Sequence, residues 1–253
     1  MLHISVPVEQ PIRVQPLPQL VFCMSRSDLI SSLRDVSPTI LPSLLMCDFG
    51  NLAAEIETLE EAGVAALHLD VMDGVYVPNF TYGMTIVAAI RKLTELPLDV
   101  HLMMVSPEKY IPQFVEAGAD LITFHVETVD DPSAVVKQIH DLGVAAGVAI
   151  NLETPVSAIA PVLAEADMAL VMSINAGFGG QAFDESALGK LDEIRSLPGG
   201  KDILLQIDGG INASTIKAAT DHGTQLLVVG SAIFKKEDYA KAIEDIMAEV
   251  TTP

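Results

Sequence analysis

The chain has 253 residues, half of them apolar, which suits one α/β barrel of about 250 residues; no run approaches the roughly 20 apolar residues of a membrane span. Thirty-four acidic against fourteen basic residues give a formal charge of −20, making nucleic acid and anionic membrane surfaces poor partners. The N-terminus lacks a secretory-signal pattern, and Cys23 and Cys47 suggest no disulfide framework, so a reducing cytoplasm is the expected compartment.

Residues 1–36 read as an N-terminal extension. Pro7, Pro11, Pro16 and Pro18 interrupt any sustained period, so its first part is expected to be flexible. Met24 opens a more ordinary beginning that leads into a short helix through Arg34. From residue 37 to 253 one domain is expected, with no internal linker.

There, short β-branched runs alternate with helical patterns, as in parallel βα units. The expected strands are Thr39–Leu45, Ala66–Met72, Leu98–Met103, Leu121–His125, Ala146–Ile150, Ala169–Ile174, Ile203–Ile207 and Leu226–Val229. Helical stretches are expected after each, among them Leu52–Ala62, Pro107–Ala117, Pro132–Leu142 and Ser186–Leu197. Gly63, Gly118 and Gly143 supply left-handed stops after three of them. Eight strands and eight crossovers predict a closed (β/α)8 TIM barrel.

Chemistry gathers where these strands end, the face on which barrel enzymes keep their sites. In Leu67-His68-Leu69-Asp70-Val71-Met72, residues two apart share a face, so His68, Asp70 and Met72 point one way. Polar groups facing a barrel interior are costly unless paired or bound to a metal. Asp99-Val100-His101-Leu102-Met103 repeats the pattern with His101 and Met103, and Ile207-Asp208-Gly209-Gly210 adds a carboxylate. Two histidines and two carboxylates on one rim suit one divalent cation: zinc, iron, manganese or cobalt.

Three glycine-bearing turns offer main-chain N–H groups to an anion: Gly177-Phe178-Gly179-Gly180, Gly209-Gly210 and Gly230-Ser231. The first of these also reads as a lid over substrate. Ser43 places a hydroxyl on the first strand. Met72, Met103 and Met172 suggest a soft sulfur collar around the reacting carbons, or plain core filling. His125 ends the fourth strand with no carboxylate two residues away on its strand face, and reads as a satisfied core or rim histidine. His3, His140 and His222 read as surface or tail residues.

These motifs, with Pro42-Ser43-Leu44-Leu45, Val77-Pro78-Asn79-Phe80 and Gly230-Ser231-Ala232-Ile233-Phe234, resemble those of the ribulose-phosphate 3-epimerase family from about Ser37 to Val250. The resemblance implies a ribulose-phosphate-binding barrel that inverts carbon 3 of D-ribulose 5-phosphate to give D-xylulose 5-phosphate in the pentose phosphate pathway. It implies one divalent metal on His68, Asp70, His101 and Asp208, stabilising an enediolate. Asp70 and Asp208 then form the acid/base pair, Ser43 and His101 touch substrate, and the glycine turns take the phosphate. A homo-oligomer is expected. Alternatives are a six-carbon ketose phosphate such as allulose 6-phosphate as substrate, a noncatalytic phosphate-binding barrel, or a metal-free lyase or isomerase. Ala176 stands where the family usually has proline, which predicts a looser loop, and Met84 stands where a proline often follows Gly83.

Overall fold

The computed structural model describes residues 24–250; the extension expected to be flexible over residues 1–20, with His3, lies outside them. Eight parallel strands form the barrel: β1 (Thr39–Pro42), β2 (Leu67–Met72), β3 (Leu98–Met103), β4 (Leu121–His125), β5 (Ala145–Ile150), β6 (Met168–Met172), β7 (Leu204–Asp208) and β8 (Leu226–Val229). Each strand pairs with its neighbour in sequence from β2 to β8, and β8 pairs with β1. The last seam, between β1 and β2, is made by one parallel bridge, Ser43 to His68.

The helices are α1 (Arg26–Asp35), α2 (Leu52–Glu61), α3 (Met84–Arg91), α4 (Ile111–Glu116), α5 (Pro132–Asp141), α6 (Ser186–Ser196), α7 (Ile216–Asp221), α8 (Ser231–Phe234) and α9 (Tyr239–Ala248). Strand alternation divides the apolar residues into two cores. Leu67, Leu69 and Val71 of β2 face outward with Ile56 and Leu59 of α2 and Ile90 of α3 in the larger one. The smaller fills the barrel interior and includes Leu41, Leu121, Leu204 and Leu226. There Gly147 of β5 has to be glycine, because a Cβ would stand 2.9 Å from Met168 Cε and closer still to Thr123 Oγ1.

Helix α1 belongs to that inner core. Ser25 caps it by accepting from the Asp28 N–H, and Leu29 and Leu33 are buried in the cluster of Leu41 and Leu226. Burial of each leucine is worth about 1.5–3 kcal/mol. Arg26 adds an ion pair of 2.8 Å to Asp167. A boundary at residue 37 therefore separates α1 from side chains it packs against.

Several bounds differ from expectation for local reasons. β1 stops at Pro42, since Ser43 accepts from the Leu45 N–H and turns the chain into a 3-10 segment, Leu44–Met46. Pro107–Ala117 is not one helix: a 3-10 turn over Pro107–Lys109 precedes α4, and Pro112 has no N–H to continue a helix from before. The segment after β5 holds a 3-10 turn, Val156–Ala158, where a helix was expected; Pro155 and Pro161 bracket it. β7 runs to Asp208 itself, one residue further than expected.

Candidate active site

Parallel strands present all their C-terminal ends on one rim, and the register aligns the polar residues there. Asp70 of β2 lies opposite His101 of β3, Met72 opposite Met103, and Met172 of β6 opposite Asp208 of β7. His68, Asp70, His101 and Asp208 converge, each offering one ligand atom within 4.8 Å of all the others. Asp70 Oδ1 is 3.3 Å from His68 Nε2 and 3.2 Å from His101 Nδ1. Asp208 Oδ2 is 4.0 Å and 3.9 Å from the same two nitrogens.

Hydrogen bonds behind the rim aim the ligand atoms. Asp99 Oδ2 accepts from the Gln206 amide at 2.7 Å and lies 2.7 Å from His68 Nδ1. A proton on Nδ1 facing that carboxylate leaves the His68 Nε2 lone pair directed at the cluster. Nε2 is buried and has no hydrogen-bond partner among the described residues, which is costly in a protein interior unless something else satisfies it. An orphaned imidazole nitrogen beside two carboxylates and a second imidazole fits a divalent cation of the zinc, iron, manganese or cobalt kind. Period-two alternation could have found Asp99 and Gln206, which sit two residues before His101 and Asp208 on the same inward faces.

The electrostatics separate the two carboxylates. Burial first and the Asp70 charge next push the Asp208 carboxyl up to about 7. Burial also acts to raise Asp70, but His68 and His101 outweigh it and hold that carboxyl well below the usual range. The surroundings thus favour the ionised form of Asp70 and the protonated form of Asp208, a division of tendencies within one residue type.

A cavity of about 220 Å³ opens above the cluster, below the roughly 300–1,000 Å³ of sites for drug-sized ligands and suited to a small polar molecule. Ser43, Asp70, Met72, Met103, Met172 and Asp208 line it, with Gly177 through Gly180, Gly209, Gly210, Gly230 and Ser231. All three expected glycine turns thus reach one chamber. Gly209 and Gly210 hold positive φ values of 120° and 66°, a backbone that side chains rarely adopt. His101 completes the cation cluster but does not line the cavity. Met46, which sequence reasoning passed over, joins the methionines because the 3-10 turn after Ser43 swings it inward.

The loop after β6 is tied on several sides. Asn79 Nδ2 donates to Gly177 O at 2.7 Å, and Gln181 Nε2 donates to Asn175 O and Phe178 O, both at 2.8 Å. The Ala176 N–H donates to Asn151 Oδ1 at 3.2 Å, a bond proline could not make. Ala176 therefore gives the loop a tie in exchange for the rigidity it lacks.

His125 is the satisfied core histidine expected of it, buried and hydrogen-bonded at both ring nitrogens. Its strand has no carboxylate partner, but the chain turns into a 3-10 segment at Val126–Thr128 and brings Glu127 Oε2 to 3.3 Å from Nδ1. His140 lies 2.9 Å from Asp167 and His222 lies 2.8 Å from Asp192, both outside the site.

Comparison with known proteins points to the same family as the motifs. The ribulose-phosphate 3 epimerase family matches residues 39–234. The chain is 44% identical over 210 residues to a ribulose-phosphate 3-epimerase of Bacillus subtilis, covering 82% of this chain and 97% of that protein. It is 42% identical over 228 residues to the chloroplastic ribulose-5-phosphate-3-epimerase of Arabidopsis thaliana, covering 88% and 78%. Among solved structures, a 3-hexulose-6-phosphate synthase superposes with a TM-score of 0.62 at 16% identity over 84% of this chain and all of the other. Likeness at that identity speaks for the barrel fold alone. With its motifs spread along the whole barrel, the chain belongs to the ribulose-phosphate 3-epimerase family.

Proposed function

We infer that this chain inverts carbon 3 of D-ribulose 5-phosphate to give D-xylulose 5-phosphate, an interconversion of pentose phosphate metabolism. The observation that carries the reading is that Asp70 and Asp208, two carboxylates from different strands, line one substrate-sized cavity beside His68 and His101. In the barrel order β2 and β7 are separated by β1 and β8, so the two carboxylates reach the cavity from well-separated strands.

The catalytic sequence follows from what each residue holds. Asp70 removes the proton from carbon 3 while Asp208 delivers one to the opposite face, and the roles exchange in the reverse direction. Ser43 donates to Asp70 Oδ2 at 2.5 Å, which fixes the angle from which that oxygen meets the carbon–hydrogen bond. His68, Asp70, His101 and Asp208 would hold a divalent cation, which supplies a Lewis acid to the negative charge developing on the substrate oxygens. Met72, Met103 and Met172 are buried around the cavity and keep water from the reacting carbons. In so acidic a protein the phosphate is received by local main-chain N–H groups of the glycine turns.

The test is direct. Purified protein given ribulose 5-phosphate should form xylulose 5-phosphate, lose that activity on chelation and regain it with an added divalent ion. Absence of turnover in metal-replete protein, or full activity after complete metal removal, would overturn the reading.

A further inference from the structure

His101 faces the cation cluster with one nitrogen and the protein interior with the other. Its Nδ1 lies toward Asp70 and Asp208, as above. Its Nε2 lies 2.9 Å from Nε2 of His125, with the two rings nearly parallel at 25° and 5.0 Å apart. Both imidazoles are fully buried. Beyond His125, Nδ1 lies 3.3 Å from Glu127 Oε2 and 3.0 Å from Tyr76 Oη. The other oxygen, Glu127 Oε1, accepts from the Asn151 N–H at 2.7 Å.

Hydrogen-bond chemistry gives this row a direction. Two imidazole nitrogens at 2.9 Å attract only when one carries a hydrogen and the other a lone pair. A lone pair on His101 Nδ1 requires the hydrogen on His101 Nε2, which then donates to His125 Nε2. The His125 hydrogen is thereby placed on Nδ1, where the Glu127 carboxylate accepts it. A carboxylate facing a bare Nδ1 would repel it, and the Tyr76 hydroxyl, hydrogen-bonded to the same carboxylate, is left to accept at Nδ1 rather than donate, so the far end of the row selects the arrangement at the near end.

We propose that Glu127 and His125 are positioning residues, Glu127 setting the tautomer of His125 and His125 that of His101, so that the His101 Nδ1 lone pair is presented to the cation site. The proposal rests on the reading that His68, Asp70, His101 and Asp208 hold a cation. Neither residue lines the cavity, so both act through His101. The signal for Glu127 in the sequence was weak, because it lies beyond the end of β4 and reaches back only through the turn that follows.

Glu127→Gln separates this role from packing, since the amide matches the carboxylate in shape. Glu127 meets donors at both oxygens, the Asn151 N–H and His125 among them, with the side chains of Thr154 and Tyr76 also bonded to it, so the amide must turn its NH2 toward a donor on one side or the other. Turned toward His125, it donates to Nδ1 and reverses the whole row, placing a hydrogen on His101 Nδ1. Zinc affinity of the stripped protein is measured by competition with a chromophoric chelator, alongside nitrogen-15 spectra of the labelled imidazoles with zinc bound, since without metal the Asp70 carboxylate 3.2 Å away draws a hydrogen to His101 Nδ1. Wild type should show the hydrogen on Nε2 of His101 and Nδ1 of His125. E127Q should bind zinc about 10–100-fold more weakly, the usual cost of losing a partner behind a ligand, and should show altered His101 nitrogen shifts. E127Q that binds zinc like wild type would overturn the proposal and leave the cation reading standing. Wild-type protein that binds no zinc would overturn both. Should E127Q fail to fold, zinc-loaded wild type with no hydrogen on His125 Nδ1 would by itself sink the idea.

Discussion

Ser43 Oγ donates to Asp70 Oδ2 at 2.5 Å, whereas Asp70 Oδ1 faces His68 and His101. The two oxygens of one carboxylate are thus divided between two tasks. Ser43→Ala leaves Oδ1 with the histidines and frees Oδ2 to rotate. The expected outcome is a fall in kcat of about tenfold, the value of one hydrogen bond to a charged group of about 1.5 kcal/mol, with bound metal unchanged. Steady-state kinetics with metal analysis of the same sample checks it; an unchanged kcat would remove Ser43 from the account.

The phosphate end is tested at Gly230 rather than at Gly209. A Cβ on Gly209 would stand 2.5 Å from Ile174 Cγ1 at a positive φ, so substitution there strains the fold as well as the cavity. On Gly230 a Cβ would approach Met46 Cγ at 3.2 Å and Ser43 Cβ at 3.9 Å, with no positive φ to maintain. Gly230→Ala should raise KM by roughly tenfold, the order of one weakened charge-assisted hydrogen bond, and change kcat less. A wild-type KM in a variant with wild-type Tm would contradict this placement of the anion.

Protonation gives a third expectation for metal-free protein. Asp208 titrates at about 7 when folded, against 3.8 ordinarily. Burial alone would depress His68, but Asp99 and Asp70 carry it above its ordinary 6.5. Both groups hold protons in the folded state that the unfolded chain releases, so stability must fall as pH rises. Burial lowers His101, and lowers His125 to about 4; those two oppose the trend only below about 6.5, where the unfolded chain's histidines are charged. The clean window is therefore pH 6.5 to 8. Stripped protein should lose Tm across it, and zinc, which displaces these protons, should bind more tightly and raise Tm more at pH 8 than at 6.5. A Tm independent of pH over that interval, with and without zinc, would count against the cluster as drawn.

The barrel and its rim were legible because period-two alternation assigns both a strand and its inward face. His68, Asp70 and Met72 fall on one face by that rule alone, and His101 and Met103 on the next. Asp99 and Gln206 lie one step deeper on the same faces, away from the strand ends where barrel chemistry is expected. Glu127 and Met46 were harder. Each lies just past a strand, where a 3-10 turn redirects the side chain and alternation no longer holds. The tie of α1 to the barrel is hard to read because its apolar residues, Leu29, Ile30 and Leu33, are few and the partners they cover come from β1 and later strands.

The opposed roles of Asp70 and Asp208 are the centre of the account, and hydrogen exchange at carbon 3 tests them most directly. In deuterated water, single turnovers of wild-type protein should give xylulose 5-phosphate carrying deuterium at carbon 3 from the first product formed. Asp70→Asn and Asp208→Asn, each with retained metal shown, should lose epimerisation, since an amide serves neither as the base nor as the acid. Product that keeps its original hydrogen at carbon 3, or an Asp208→Asn enzyme that still epimerises, would contradict two carboxylates working from opposite faces.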